Sequence, residues 1–237
     1  MRRLLLALLF CAAPALGRAE PETVVLLHGL GRSAWSMARL EHALARDGYR
    51  VVNLCYPSRT VPLETLAHDW LPAQLHAHAA DTAPRLHFVT HSMGGIVVRL
   101  YLRDHAPANL GRTVMLAPPN QGSEVSAHLK NFPPFRWFTG VNGLRLDPAA
   151  TSLPRSLGPW PATAGALGVI AGDRSLNPLF SAWLPGPDDG KVAVASTHLA
   201  GESAHRVLHH SHPWLAWRAD TARTVAQFLR TGNFTAN

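Results

Sequence analysis

The run Leu86-His87-Phe88-Val89-Thr90-His91-Ser92-Met93-Gly94-Gly95-Ile96-Val97-Val98 sets an apolar, β-branched stretch directly against a serine, two glycines and the start of a helical pattern. A strand that turns this sharply into a helix holds the residue at the corner in a strained backbone conformation and lifts its side chain clear of the sheet. Only small neighbours tolerate that crowding, and Gly94 and Gly95 supply the room on the helix side. The N-terminus of the new helix also turns free amide N–H groups toward Ser92.

Working outward, similar apolar runs occur at Thr23 to His28, Tyr49 to Leu54, Arg112 to Ala117, Leu167 to Ala171 and Lys191 to Ser196. Runs that are apolar at nearly every position suit strands covered on both faces. Between them, Trp35 to Arg46, Leu63 to His78 and Ile96 to His105 place apolar residues three and four apart, and Ala216 to Leu229 reads as a closing helix. Strand and helix in alternation predict an α/β fold with a mostly parallel central sheet and helices on both faces. Residues 118–161 break the alternation with Pro133, Pro134, Pro148, Pro154, Pro159, Pro161 and several aromatics. A connection of that length reads as a cap-like insertion over one end of the sheet.

The chain has 237 residues, 47% of them hydrophobic and 16% charged, which fits a folded α/β domain and excludes a disordered or coiled-coil chain. At its start, Arg2 and Arg3 precede the apolar run Leu4 to Ala13, Pro14 and the small residues before Arg18. Residues 1–19 therefore read as an export signal cleaved after Gly17 or Ala19, leaving residues 20–237 as a single domain in the periplasm or secreted. Cys11 would leave with that segment, and Cys55 would then have no partner for a disulfide. The net charge is +7, but the only lysines are Lys130 and Lys191 and the arginines are scattered. Nothing tracks a phosphate backbone, so nucleic acid is not an expected partner.

The His91-Ser92-Met93-Gly94-Gly95 core resembles the nucleophile elbow of the α/β-hydrolase superfamily, with Thr90 standing where the pattern has its first glycine. It is most similar to small secreted bacterial lipases and esterases. Val24-Val25-Leu26-Leu27-His28-Gly29-Leu30-Gly31 resembles that family's oxyanion loop, and Asn120-Gln121-Gly122-Ser123 its Pro-x-x-x-Gly-Ser loop. The resemblance implies Ser92 as nucleophile and the amides of Leu30 and Met93 as oxyanion donors, with His28 bracing the loop.

A serine needs a histidine to take its proton and a carboxylate to orient that histidine. The resemblance implies the chain order Ser, Asp, His. Asp173 and Asp189 both follow apolar runs, and Asp188-Asp189-Gly190-Lys191-Val192 resembles the Asn-Asp-Gly-x-Val segment of bacterial lipases, which favours Asp189. Of His198, His205, His209, His210 and His212, read as loop residues before the final helix, His212 matches the family position best and His210 is second. Irregular spacing and the lack of a nearby cysteine weigh against a metal site. The expected activity is hydrolysis of carboxylic, lipid-like esters through an acyl-enzyme, with no metal or organic cofactor. Its partners would be small-molecule or lipid esters, with transient contact to a lipid surface. An acyltransferase or thioesterase on the same residues, and a non-catalytic binding module, are the alternatives. Trp35, Phe132, Phe135, Trp137 and Phe138 are candidates for an acyl-binding wall or flap, or else for ordinary packing.

Overall fold

Six strands, β1 (Thr23–Leu27), β2 (Arg50–Leu54), β3 (Leu86–His91), β4 (Leu110–Leu116), β5 (Leu167–Gly172) and β6 (Ala204–Leu208), form one sheet in the order β2-β1-β3-β4-β5-β6. Every pairing is parallel. The structure is a computed structural model that describes residues 19–235, so residues 1–19, expected from the sequence to be an export signal, lie outside the described residues except for Ala19.

Alternation of side chains explains why the strands are apolar throughout. Val25, Leu27, Phe88, Met115 and Val169 pack on one face against the helical stretch from Leu63 to Ala77 and the helix Met93–Asp104. Val24, Leu26, Val89, Val114 and Ile170 pack on the other face against the helices Ala38–Arg46 and Ala219–Thr231. Thr221, Val225, Phe228 and Leu229 recur at i, i+4, i+7 and i+8 along the last helix and are buried. That helix ends at Gly232, whose φ of 79° is left-handed and whose amide caps the Phe228 carbonyl.

Three expectations need correction. Lys191 to Ser196 is not a strand: the Asp189 carboxylate accepts hydrogen bonds from the amides of Lys191 and Val192, which turns the chain, and Val194–Thr197 is helical. The edge strand beside β5 is β6, whose Ala204, His205, Arg206, Val207 and Leu208 are all half-buried or exposed. An edge strand with one solvated face carries no continuous apolar run, and His205 lies within it rather than on a loop. The closing helix also starts later than expected, at Ala219, after a short 3-10 turn over His212–Trp217.

Residues 118–161 contain no strand and include the helices Glu124–Leu129, Pro133–Gly143 and Leu153–Ser156. Asn142 ties this segment down: its amide nitrogen donates to the carbonyls of Ser58 and Val61, and its oxygen accepts from the Leu63 amide. Because β1 lies between β2 and β3, the chain leaves β1 toward one edge of the sheet and returns on its other side at β3. Such a reversal opens a crevice at the carboxyl ends of the strands. The loop after β1 and the turn after β3 both face that crevice, with Leu27 in register with Thr90.

Candidate active site

Ser92 sits at φ 54° and ψ −123°, a region sparsely populated by any side-chain-bearing residue. Its amide donates to the Leu116 carbonyl at the end of β4, and its carbonyl accepts from the Gly95 amide. The glycines are required by close approach. A Cβ on Gly94 would lie 2.7 Å from the Leu27 carbonyl oxygen and 2.9 Å from that of His28. A Cβ on Gly95 would meet the Met115 sulfur, Pro118 and the Thr90 hydroxyl at 3.2–3.3 Å. Thr90 is therefore accommodated because Gly95 leaves it room, although its buried hydroxyl has no hydrogen-bond partner.

The loop after β1 is braced from below. His28 is fully buried; its Nδ1 donates to the Gly29 carbonyl and its Nε2 accepts from the Tyr56 amide. The Tyr56 hydroxyl donates to the His28 carbonyl, and the two rings stack 4.3 Å apart. Burial lowers the His28 pKa, consistent with a neutral ring in this tautomer. The amides of Leu30 and of Met93, the first residue of its helix, have no protein acceptor among the described residues. Leu30 lines the cavity described below and also packs against the core that buries the Met93 side chain.

His212 Nδ1 is 2.7 Å from Asp189 Oδ2, with both side chains buried. Asp189 Oδ1 takes the amides of Lys191 and Val192, and its carbonyl accepts from the His212 amide. Gly172, at the end of β5, makes this junction possible: a Cβ there would meet the His210 carbonyl at 2.3 Å and the Asp189 side chain at 2.9 Å. Asp188 does not approach the imidazole; it accepts from the Ser181 hydroxyl and the Gly190 amide.

The other candidates are committed elsewhere. Asp173 pairs with the exposed His209, His210 pairs with Asp220, His198 with Glu202, and His205 with the Thr197 hydroxyl. Among the described residues no group of three or more His, Cys, Asp or Glu side chains is arranged to hold a metal ion. Cys55 is exposed and does not line the cavity.

Ser92 and His212 line the same cavity, of about 280 Å³, together with Gly29, Leu30, His91 and Lys191. Among the described residues no hydrogen bond joins the Ser92 hydroxyl to the imidazole; the His212 Nδ1 is held by Asp189, which leaves Nε2 as the nitrogen able to take a proton. Residues 118–161 supply Val125, Leu129, Phe135, Phe138 and Leu146 to the apolar wall. Of the aromatics expected near the site, Phe135 and Phe138 line the cavity. Trp35 and Trp137 do not line the cavity. Trp35 is 71% exposed and leans on Trp217 at 4.4 Å, while Trp137 is 76% exposed and held outside by Arg59, whose guanidinium lies over its ring. Helical geometry separates neighbours in sequence: Phe135 and Phe138, three apart, share the inner face, and Trp137 falls on the outer one. Phe132 is likewise exposed and outside the cavity.

Sequence reading passed over His91, Arg32, Lys191 and Phe180, all of which line the cavity. His91 precedes the elbow serine and is buried, with Nε2 donating to the His212 carbonyl and its ring centroid 4.7 Å from that of His212. Burial, with the neighbouring His212 next, holds its pKa well below the usual imidazole range. The only signal for Lys191 was its place directly after Asp189-Gly190.

Comparison with known proteins agrees with this architecture. "Probable esterase PIR7A" from rice, Oryza sativa subsp. indica, is 30% identical over 116 residues, which are 46% of this chain and 44% of that protein, less than half its length. The mature form of the Bacillus licheniformis lipase BlEst2 superposes with a TM-score of 0.64 at 17% identity, covering 92% of this chain and 93% of that one. The lin2722 gene product of Listeria innocua superposes with a TM-score of 0.62 at 14% identity, covering 90% and 94%. At those identities the two structures speak for the fold. A family model described as "Alpha/beta hydrolase family" matches residues 24–234. With nearly all of its described length inside that match, the chain belongs to the alpha/beta hydrolase family.

Proposed function

We propose that the protein hydrolyses carboxylic esters through an acyl-enzyme formed on Ser92. The observation that carries this reading is one cavity lined by both a strained, strand-terminal serine and an imidazole whose Nδ1 is fixed by a buried aspartate. His212 Nε2 takes the Ser92 proton as Oγ bonds to the ester carbon, and the amides of Leu30 and Met93 hold the developing oxyanion. The carbon–oxygen bond to the alcohol then breaks, and His212 returns the proton to the departing oxygen. Water enters by the same route in reverse, and the acid product leaves. Asp189 keeps Nδ1 protonated and stabilises the imidazolium. No metal or organic cofactor enters any step.

The apolar wall suits an acyl chain, and exposed Phe132, Trp137, Phe138 and Val141 around the insertion helix suit contact with a lipid surface. Esterase and lipase names among the compared proteins support ester substrates. The test is labelling with a fluorophosphonate probe. Wild type should label stoichiometrically and Ser92→Ala should not; an unlabelled wild type, or equal labelling of the two, removes the assignment.

A further inference from the structure

The cavity carries two cations and no anion of its own. Arg32, exposed at the rim, and Lys191, half-buried, both line it, whereas no Asp or Glu does. Ion pairs of Arg and Lys among the described residues involve Arg85, Arg103, Arg145 and Arg230. Among the described residues neither Arg32 nor Lys191 takes part in one, and neither side chain donates a hydrogen bond. Asp189, the nearest carboxylate in sequence to Lys191, has one oxygen on His212 and the other on two backbone amides.

We propose, building on the ester-hydrolase reading, that the substrate is an anionic ester whose carboxylate or phosphate lies on the alcohol part, bound by Lys191 and Arg32 beside His212. Placement on the alcohol side follows from chemistry. His212 must protonate the departing oxygen, so the alcohol lies on its side of the cavity, and Lys191 belongs to the short loop that carries Asp189. The apolar lining, with Val125, Leu129, Phe135 and Leu146, takes the acyl chain.

Electrostatics agree. Burial and then the nearby Arg32 charge lower the Lys191 pKa, with Asp189 opposing, and His91 feels His212, Lys191 and Arg32 together. Two like charges lining one cavity cost stability unless something neutralises them. A bound anion does so.

The experiment compares p-(butanoyloxy)benzoate with its methyl ester, each kcat/KM divided by the rate of alkaline hydrolysis to remove leaving-group differences. Wild type should favour the anionic member by about tenfold or more, as charge-assisted contacts allow, and added salt should reduce the preference. Lys191→Met and Arg32→Gln should each cut the ratio, mainly through KM. A normalised ratio near one in wild type, or an unchanged ratio in both variants, overturns the proposal. Calorimetric binding of the unreactive p-butanamidobenzoate and its methyl ester gives a readout free of turnover. Preference for the charged amide without fluorophosphonate labelling would sink the hydrolase reading and keep the anion site; labelling without that preference would do the reverse. Hexanoyl glycerol phosphate against hexanoyl glycerol extends the comparison to lipid headgroups. Preference below the micellar concentration supports the cavity, whereas preference in micelles alone assigns the charge effect to the surface and rejects it.

Discussion

Asp173 and Asp189 illustrate how far residue identity carries. Both are aspartates at the same end of the sheet, and chain order alone admits either. The fold gives Asp189 a buried imidazole and two amides, and gives Asp173 an exposed histidine. Removing the charge from Asp189 while keeping its shape should leave His212 free to adopt the wrong tautomer. Asp189→Asn is therefore expected to lower kcat roughly 10⁴-fold, with Ser92 labelling slowed in parallel, while Asp173→Asn loses only a surface pair worth at most about 1 kcal/mol and keeps its activity. Steady-state kinetics on both variants checks this; a severe loss in Asp173→Asn alone would exchange their roles. The serine and its glycines were legible in the sequence because crowding at a strand–helix corner admits few residue types. Lys191 and Arg32 were not, because a cation acquires meaning only from what faces it.

At the scale of elements, the elbow depends on how closely the helix Met93–Asp104 approaches the end of β1. Gly94 lies where any Cβ would press on the carbonyls of Leu27 and His28, which are backbone and give way only by moving the loop that carries Leu30. Gly94→Ala is expected to destabilise the fold by about 1–3 kcal/mol. It should also lower activity in the surviving folded fraction, because the Leu30 amide shifts. Urea unfolding with fluorophosphonate labelling of the folded protein measures both effects; wild-type values for both would mean the contact is soft. Strands β1 to β5 were readable within a residue or two: burial on both faces writes the apolar runs of β1, β3, β4 and β5, and edge strand β2 keeps Val51, Val52 and Leu54. Strand β6 was missed because its outer side meets solvent, and the apolar run at Lys191 to Ser196 misled because Asp189 recruits its amides for the site.

For the whole molecule, His28, His87 and His91 are buried rings whose pKa values are lowered chiefly by burial. Glu22 partly offsets this at His87 by pairing with Nε2. Because the folded state resists protonation at these sites and the unfolded chain does not, their contribution to stability is complete above the free imidazole pKa. It is lost as pH falls below about 6.5. Each such ring contributes a slope of up to about 1.4 kcal/mol per pH unit over that window. Melting temperature should therefore fall steadily from pH 7 to pH 5, and His87→Gln should flatten the decline. A melting temperature constant across that range would contradict neutral burial of the three rings.

From the residues alone came the alternation of strands and helices, the strained serine and the loop opposite it, because burial on two faces and a sharp corner each restrict residue choice locally. The tertiary structure decided which aspartate meets which histidine, which aromatics face inward and that Arg32 and Lys191 line one cavity. Those outcomes depend on distances between segments remote along the chain, such as Asp189 and His212 at 2.7 Å, that only the closed fold sets.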